Sequence, residues 1–220
     1  TSSTNCAVAL LFGHVLLERV STGQRQSAQR VLPMISELLL DAKIQLGDID
    51  LIAVVAGPGS FTGVRIGIGV AQGLSLSAAI PAVPLSSLAL SAIATVSESP
   101  FDKVLVSEKA REGELYFAAY QCSVRQGVEL VGREQVALIE DLDALPENFA
   151  GSSWSLAGSG WERQGEILQH LGCKAAAQPQ TPVIDSQLVV RLALLRFNCS
   201  ESVDAAALRP NYVKEQLDYT

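Results

Sequence analysis

The chain has 220 residues, 48% of them apolar and 18% charged, with a net charge of −7 and a pI near 4.9. That composition fits a well-packed globular protein of one or two domains and excludes a disordered one. The sixteen Lys and Arg residues are scattered without a basic run, which argues against a strong nucleic-acid footprint.

Residues 6–12 (CAVALLF) and 15–20 (VLLERV) are β-prone runs joined by Gly13-His14, a hairpin pattern. The stretch from Gln26 to Lys43 repeats apolar residues at helical spacing. Pro33 predicts that this helix either starts late or bends, because proline is comfortable only in a first turn. DLIAVVAG, ending at Gly57, reads as a buried strand. A glycine-rich stretch follows, then a small strand near 80–83 and a helix over about 85–95. The polar, proline-bearing segment 96–102 is the expected boundary between domains 1–100 and 101–220. Beyond it, strands are predicted at 103–107, 114–121, 128–138 and 154–158. A short helix is expected at 141–145, and longer ones over 158–171 and 185–197. Each half is therefore expected to be an α/β layer with a mixed sheet. No apolar run reaches the roughly 18 residues of a membrane span, and no signal peptide is visible, so a cytoplasmic location is expected. Cys6, Cys122, Cys173 and Cys199 form no C-x-x-C pair. They read as four buried thiols in a reducing compartment.

The stretch AGPGSFTGVRIGIGVAQG, residues 56–73, contains six glycines. It lacks the lysine of a Walker A loop and the glycine spacing and acidic partner of a dinucleotide fingerprint. What remains is a strand, a tight turn over 57–60 and a helix starting near Phe61-Thr62, with Ser60 or Thr62 as N-cap. Glycine costs a helix about 1 kcal/mol relative to alanine. Gly63 and Gly67 are four apart, as are Gly69 and Gly73, and residues four apart share a face. The helix therefore reads as a packing surface, internal or between chains. The sharper form has Arg65, Ile68 and Gln72 meeting a partner helix.

GPGSFTGVRIGIGVAQGL, together with TSSTNCAVALL, VLPMI, AREGELYFAAYQ, AGSGW and ALRPNYVK, resembles the TsaB (YeaZ) family across nearly the whole chain. That family is required for making threonylcarbamoyladenosine at position 37 of tRNA. The resemblance implies an actin-like fold of two duplicated α/β domains, shared with Hsp70 and sugar kinases. Relatives begin with a strand ending in Asp just before the position of Thr1, so it also implies that this sequence lacks its first strand. It further implies a non-catalytic scaffold that pairs with the TsaD-type transferase, recruits a TsaE-type ATPase and forms a homodimer when alone. The partner surface would lie on the helices near 28–43 and 62–78 of the first domain, at Val31, Met34, Ile35, Leu38, Arg65, Gly67, Ile68, Gly69 and Gln72.

The departures from the family pattern point away from chemistry of its own. The catalytic paralogue binds a metal through two histidines on its first helix. The two histidines here are His14 and His170, so no such metal site carries over, and no catalytic or cofactor-binding residue is expected. Where relatives read Ile-Asp-Ala-Arg, this chain has Glu108-Lys109-Ala110-Arg111, which weakens the case for an independent ATP site. The alternative reading is a nucleotide-binding kinase or ATPase of the actin-like type. Glu112 and Glu114 read as solvated turn residues and Trp154 and Trp161 as core. No G-x-S-x-G elbow supports a serine hydrolase.

Overall fold

The computed structural model describes residues 5–22, 27–97, 102–123 and 127–213. The chain divides into two compact units, one formed by Thr1–Ser87 with Asp185–Asn211 and a second centred on Leu88–Ile184.

In the first unit, strands β1 (Asn5–Phe12) and β2 (Val15–Thr22) form an antiparallel hairpin that pairs Phe12 with Val15. Gly13 opens its two-residue turn at a φ of 59°, a conformation glycine adopts without strain. Helix α1 (Ser27–Ala42) packs on β1. Val31, Met34 and Leu38 recur at helical spacing and are buried. Val31 and Met34 meet Cys6, with Ile66 and Val70 of the next helix packed against them. Pro33 is the seventh residue of α1, so the helix does not start late. Pro33 and Gln29 are both exposed, so water can satisfy the Gln29 carbonyl that the proline leaves without an amide. Arg19 of β2 pairs with Glu37 and Asp41 of α1, at half-exposed positions where ion pairs contribute little.

Strand β3 (Ile52–Gly57), helix α2 (Phe61–Ala78) and strand β4 (Ala82–Ser86) follow, with β4 parallel to β3. Helix α5 (Ser186–Asn198) returns to this unit and contacts β1, β3 and β4. Asp185 caps α5 by accepting from the Leu188 amide at 2.7 Å. Beyond it, Val203 bridges to Ala82, and Leu208 is buried with Ala56, Val64, Ile68 and Ala71. The mixed sheet expected of this half is instead two parallel or antiparallel pairs. Among the described residues β1 and β3 are not hydrogen-bonded to each other.

The second unit holds one mixed sheet of five strands in the order β7-β6-β5-β8-β9. These are β5 (Lys103–Lys109), β6 (Leu115–Ser123), β7 (Gly127–Ala137), β8 (Ser153–Ala157) and β9 (Lys174–Ala175). The pairs β5–β6 and β6–β7 are antiparallel, while β5–β8 and β8–β9 are parallel. Helix α3 (Ser87–Ser97) is buried from Leu88 to Val96, serine and threonine included, as its apolar composition requires. Helix α4 (Gln164–Leu171) ends at Gly172 in the left-handed conformation, φ 63°. Trp154 is fully buried in the core, tilted against Phe149 at 5.4 Å, with Leu105, Phe117, Leu156 and Ile167 in the same cluster.

Several boundaries differ from the sequence expectation. The short helix at 141–145 is a 3-10 turn at Ile139–Asp141, and the helix expected over 158–171 is confined to its last eight residues. The division at 100/101 does not follow the contacts: the chain changes unit at Ser87, and α5 belongs to the first unit. Residues 98–101 of the expected boundary lie outside the described residues. Cys199 is exposed, unlike the other three cysteines.

Burial pushes the Cys122 thiol up to about 12, helped by the nearby Asp102, and pushes Cys173 up to about 11. Unfolded thiols titrate near 8.5, so from roughly pH 9 to 11 the unfolded chain loses protons that the folded chain keeps. Stability contributed by these thiols is complete below that window and is lost as pH rises through it. The urea midpoint should fall between pH 8 and pH 10.5, and less steeply in a Cys122→Ala/Cys173→Ala variant. Parallel curves for the two proteins would contradict this.

Candidate partner-binding face

Strand β3 passes into α2 through a turn held on three sides. The Ala56 carbonyl accepts from the Asn211 amide at 2.8 Å, the Pro58 carbonyl from the Ser87 hydroxyl at 2.5 Å, and the Ser60 carbonyl from the Val64 amide at 2.8 Å. Ser60 is the N-cap, its hydroxyl accepting from the Gly63 amide at 3.4 Å. Gly57 has a φ of 107°, and an added Cβ would meet only ordinary contacts. The backbone angle, not a lack of space, demands glycine there.

The two glycine pairs of α2 lie on different sides. Gly63 and Gly67 are buried on the side of Val64, Ile68, Ala71 and Ser75. Gly69 and Gly73 face open space, with nothing within 4 Å of an added Cβ. Phe61, Arg65, Gly69 and Gly73 follow one another at intervals of four, a single ridge of the helix surface. The Arg65 guanidinium lies over the Phe61 ring at 3.2 Å from its centroid, a cation–π contact. Leu76 continues this side at 78% exposed and Phe61 begins it at 58%. On α1, which packs beside α2, Leu32 and Leu40 are 52% and 76% exposed. With Ser36 they form another row at intervals of four. Two neighbouring helices thus carry large apolar side chains in water beside a strip without side chains, where another helix could approach closely.

Most of the partner-surface residues expected from the sequence point the other way. Val31, Met34, Leu38, Gly67 and Ile68 are buried inside the first unit. Ile35 is half-buried against the Cys6 cluster, and the Gln72 amide donates to the Leu208 carbonyl at 2.8 Å. A side chain enclosed by its own chain cannot also meet a partner, so of the nine only Gly69 and part of Arg65 lie on the open side. Leu32, Leu40, Phe61 and Leu76, which the sequence reading does not single out, are exposed apolar side chains of these two helices.

No cluster of three or more His, Cys, Asp or Glu that could hold a metal is present among the described residues. His170 Nε2 lies 2.8 Å from the Leu142 carbonyl oxygen. Glu112 and Glu114 flank the tip of a turn closed by the Glu114 amide on the Arg111 carbonyl at 2.9 Å, and Glu112 is exposed. No helix of the described residues is long and apolar enough to cross a membrane.

Solved structures match this architecture over nearly its full length. One, described as an uncharacterized protein with similarity to peptidase YEAZ from Pseudomonas aeruginosa, has a TM-score of 0.81 at 33% identity and covers 97% of this chain and 96% of that one. Another, YeaZ from Pseudomonas aeruginosa, gives a TM-score of 0.78 at 31% identity, covering 96% of each chain. The fold is the actin-like one of paired α/β units. Residues 15–188 match the family model described as TsaD: tRNA N6-adenosine threonylcarbamoyltransferase. The tRNA threonylcarbamoyladenosine biosynthesis protein TsaB of Escherichia coli (strain K12) is 36% identical over 174 residues, covering 78% of this chain and 74% of that protein. Its namesake in Haemophilus influenzae is 27% identical, covering 100% of this chain and 93% of that protein. The chain belongs to the TsaB (YeaZ) family.

The two sides of α2 predict opposite responses to substitution by alanine. Gly73→Ala, at an open helical position, should raise unfolding stability by about 0.5–1 kcal/mol. Ile68→Ala should lower it by about 2–5 kcal/mol through the cavity it leaves. Urea titration of the two variants measures both. A destabilised Gly73→Ala would mean that this side is occupied.

Proposed function

We infer that this protein is a non-catalytic partner subunit in the threonylcarbamoylation of adenosine in tRNA. It pairs with a TsaD-type transferase and works with a TsaE-type ATPase, in the cytoplasm. The names of its curated relatives supply the pathway. The observation that carries the pairing is the open side of α1 and α2, where Leu32, Leu40, Phe61 and Leu76 stand exposed beside Gly69 and Gly73. Small residues permit the close helix approach, and the flanking apolar side chains and the Phe61–Arg65 pair are the kind of groups that anchor interfaces. The first unit is accordingly the one that carries the partner face. A net charge of −7 suits a subunit that leaves the grip on tRNA phosphates to another member of the assembly.

Gly69→Trp tests the pairing without disturbing the core, because open space surrounds the position. The variant should keep its unfolding midpoint and circular dichroism. Its affinity for a TsaD-type paralogue, measured by calorimetry, should weaken at least about tenfold, or ~1.4 kcal/mol. Reconstituted modification should drop in parallel at limiting subunit concentration. Unchanged affinity would remove this side of α2 from the interface.

A further inference from the structure

Actin-like folds are associated with nucleotide binding, and in open α/β sheets ligands sit beyond the carboxyl ends of parallel strands. In the second unit those ends belong to β5 and β8, which finish at Lys109 and Ala157. Beyond β8 comes Gly158-Ser159-Gly160, a turn of the composition that cradles phosphate. Its donors, however, are already taken. The Gly158 amide donates to the Gln180 carbonyl and the Gly160 amide to the Ser107 carbonyl, each at 2.8 Å. The Ser159 amide and hydroxyl both donate to Glu108 Oε2, at 3.1 and 2.6 Å.

The glycines are explained by the same closure. A Cβ on Gly158 would collide with the Ser107 carbonyl oxygen and fall 2.9 Å from Glu108 Oε1, and one on Gly160 would collide with the Ser107 hydroxyl. They make room for the chain's own strand β5. Lys109, whose backbone amide donates to the Ser159 hydroxyl at 3.4 Å, gives its ammonium to Glu162 at 2.5 Å. A phosphate arriving here would find no free turn amide and a carboxylate in the place it needs. The donor set does not fit a nucleotide.

We propose that Glu108 is the built-in anion of the 158–160 turn, and that its carboxylate closes the carboxyl end of β5 and β8 to nucleotide phosphates. The closure is made by Glu108 of β5 acting on the turn that follows β8. It involves the second unit alone and is independent of the pairing surface on α1 and α2.

Backbone amide NMR of the full chain tests this with inorganic phosphate and with ATP as probes. Ser159 and Lys109 are exposed at this rim, so Glu108→Ala should stay folded. In the unsubstituted protein, millimolar phosphate or ATP should leave the Ser159 and Gly160 amide signals unmoved. In Glu108→Ala, the Ser159 amide should shift on loss of its acceptor and then titrate saturably with phosphate. Glu108→Gln, which keeps an acceptor oxygen without the charge, should shift Ser159 less than Glu108→Ala and guards against collapse of the turn. Saturable binding at these amides in the unsubstituted protein would overturn the proposal. So would a Ser159 signal identical in all three proteins, or a folded Glu108→Ala whose turn still ignores phosphate.

Discussion

The first unit depends on the burial of one side of helix α2. Val64, Ile68 and Ala71 close over Ala56 of β3 and Ala82 of β4, and Leu208 completes the cluster from the far end of the chain. Two of the residues on that side are glycines, which lowers helix propensity but lets the helix lie close to what it covers. Once α2 is seated, its other positions are fixed as well. Ile66 and Val70 must meet α1, and Phe61, Arg65, Gly69 and Gly73 must face outward. The open side is therefore a geometric consequence of the buried one. An apolar helix committed on one side has only the remainder of its circumference to offer a partner.

Local signals carried most of the element reading. The alternation in 6–12 and 15–20, the Ser60 cap before an apolar run and the Asp185 cap before α5 each act within a few residues. Periodicity and capping report such effects directly. The departures came from interactions between distant residues. Pro33 sits inside α1 because its position is solvated, which depends on where β1 lies. Residues 158–163 follow helical patterning on paper, yet they fold back on Ser107 of β5 and begin the helix only at Gln164. The two-residue strand β9 exists because Ser153 and Trp154 of β8 offer it an edge, and nothing within Lys174-Ala175 announces it.

The same distinction applies to the exposed sides of α1 and α2. The resemblance implies a surface on α1 and α2, and spacing divides the α2 glycines into two pairs. It could not say which apolar row of an almost wholly apolar helix would turn inward. On α1 the rows Val31–Met34–Leu38 and Leu32–Ser36–Leu40 are both plausible core stripes by composition. Cys6 of β1 and Ile66 of α2 decide between them, and both are remote in sequence. The family resemblance points to these two helices and gives no information on their rotation.

The return of α5, Leu208 and Asn211 to the first unit has a consequence for the order in which the protein can be made. The core sheet of the second unit comes from one uninterrupted stretch, and all its strands have left the ribosome once Ala175 has emerged. The first unit begins earlier but cannot finish. Its Leu208 core position, the Gln72 contact and the hydrogen bond on Ala56 wait for residues made after that whole sheet. Domains generally fold as units as they are synthesised. Here the unit that starts first is the later of the two to close, and the buried side of α2 is sealed only after the second unit's sheet has been made.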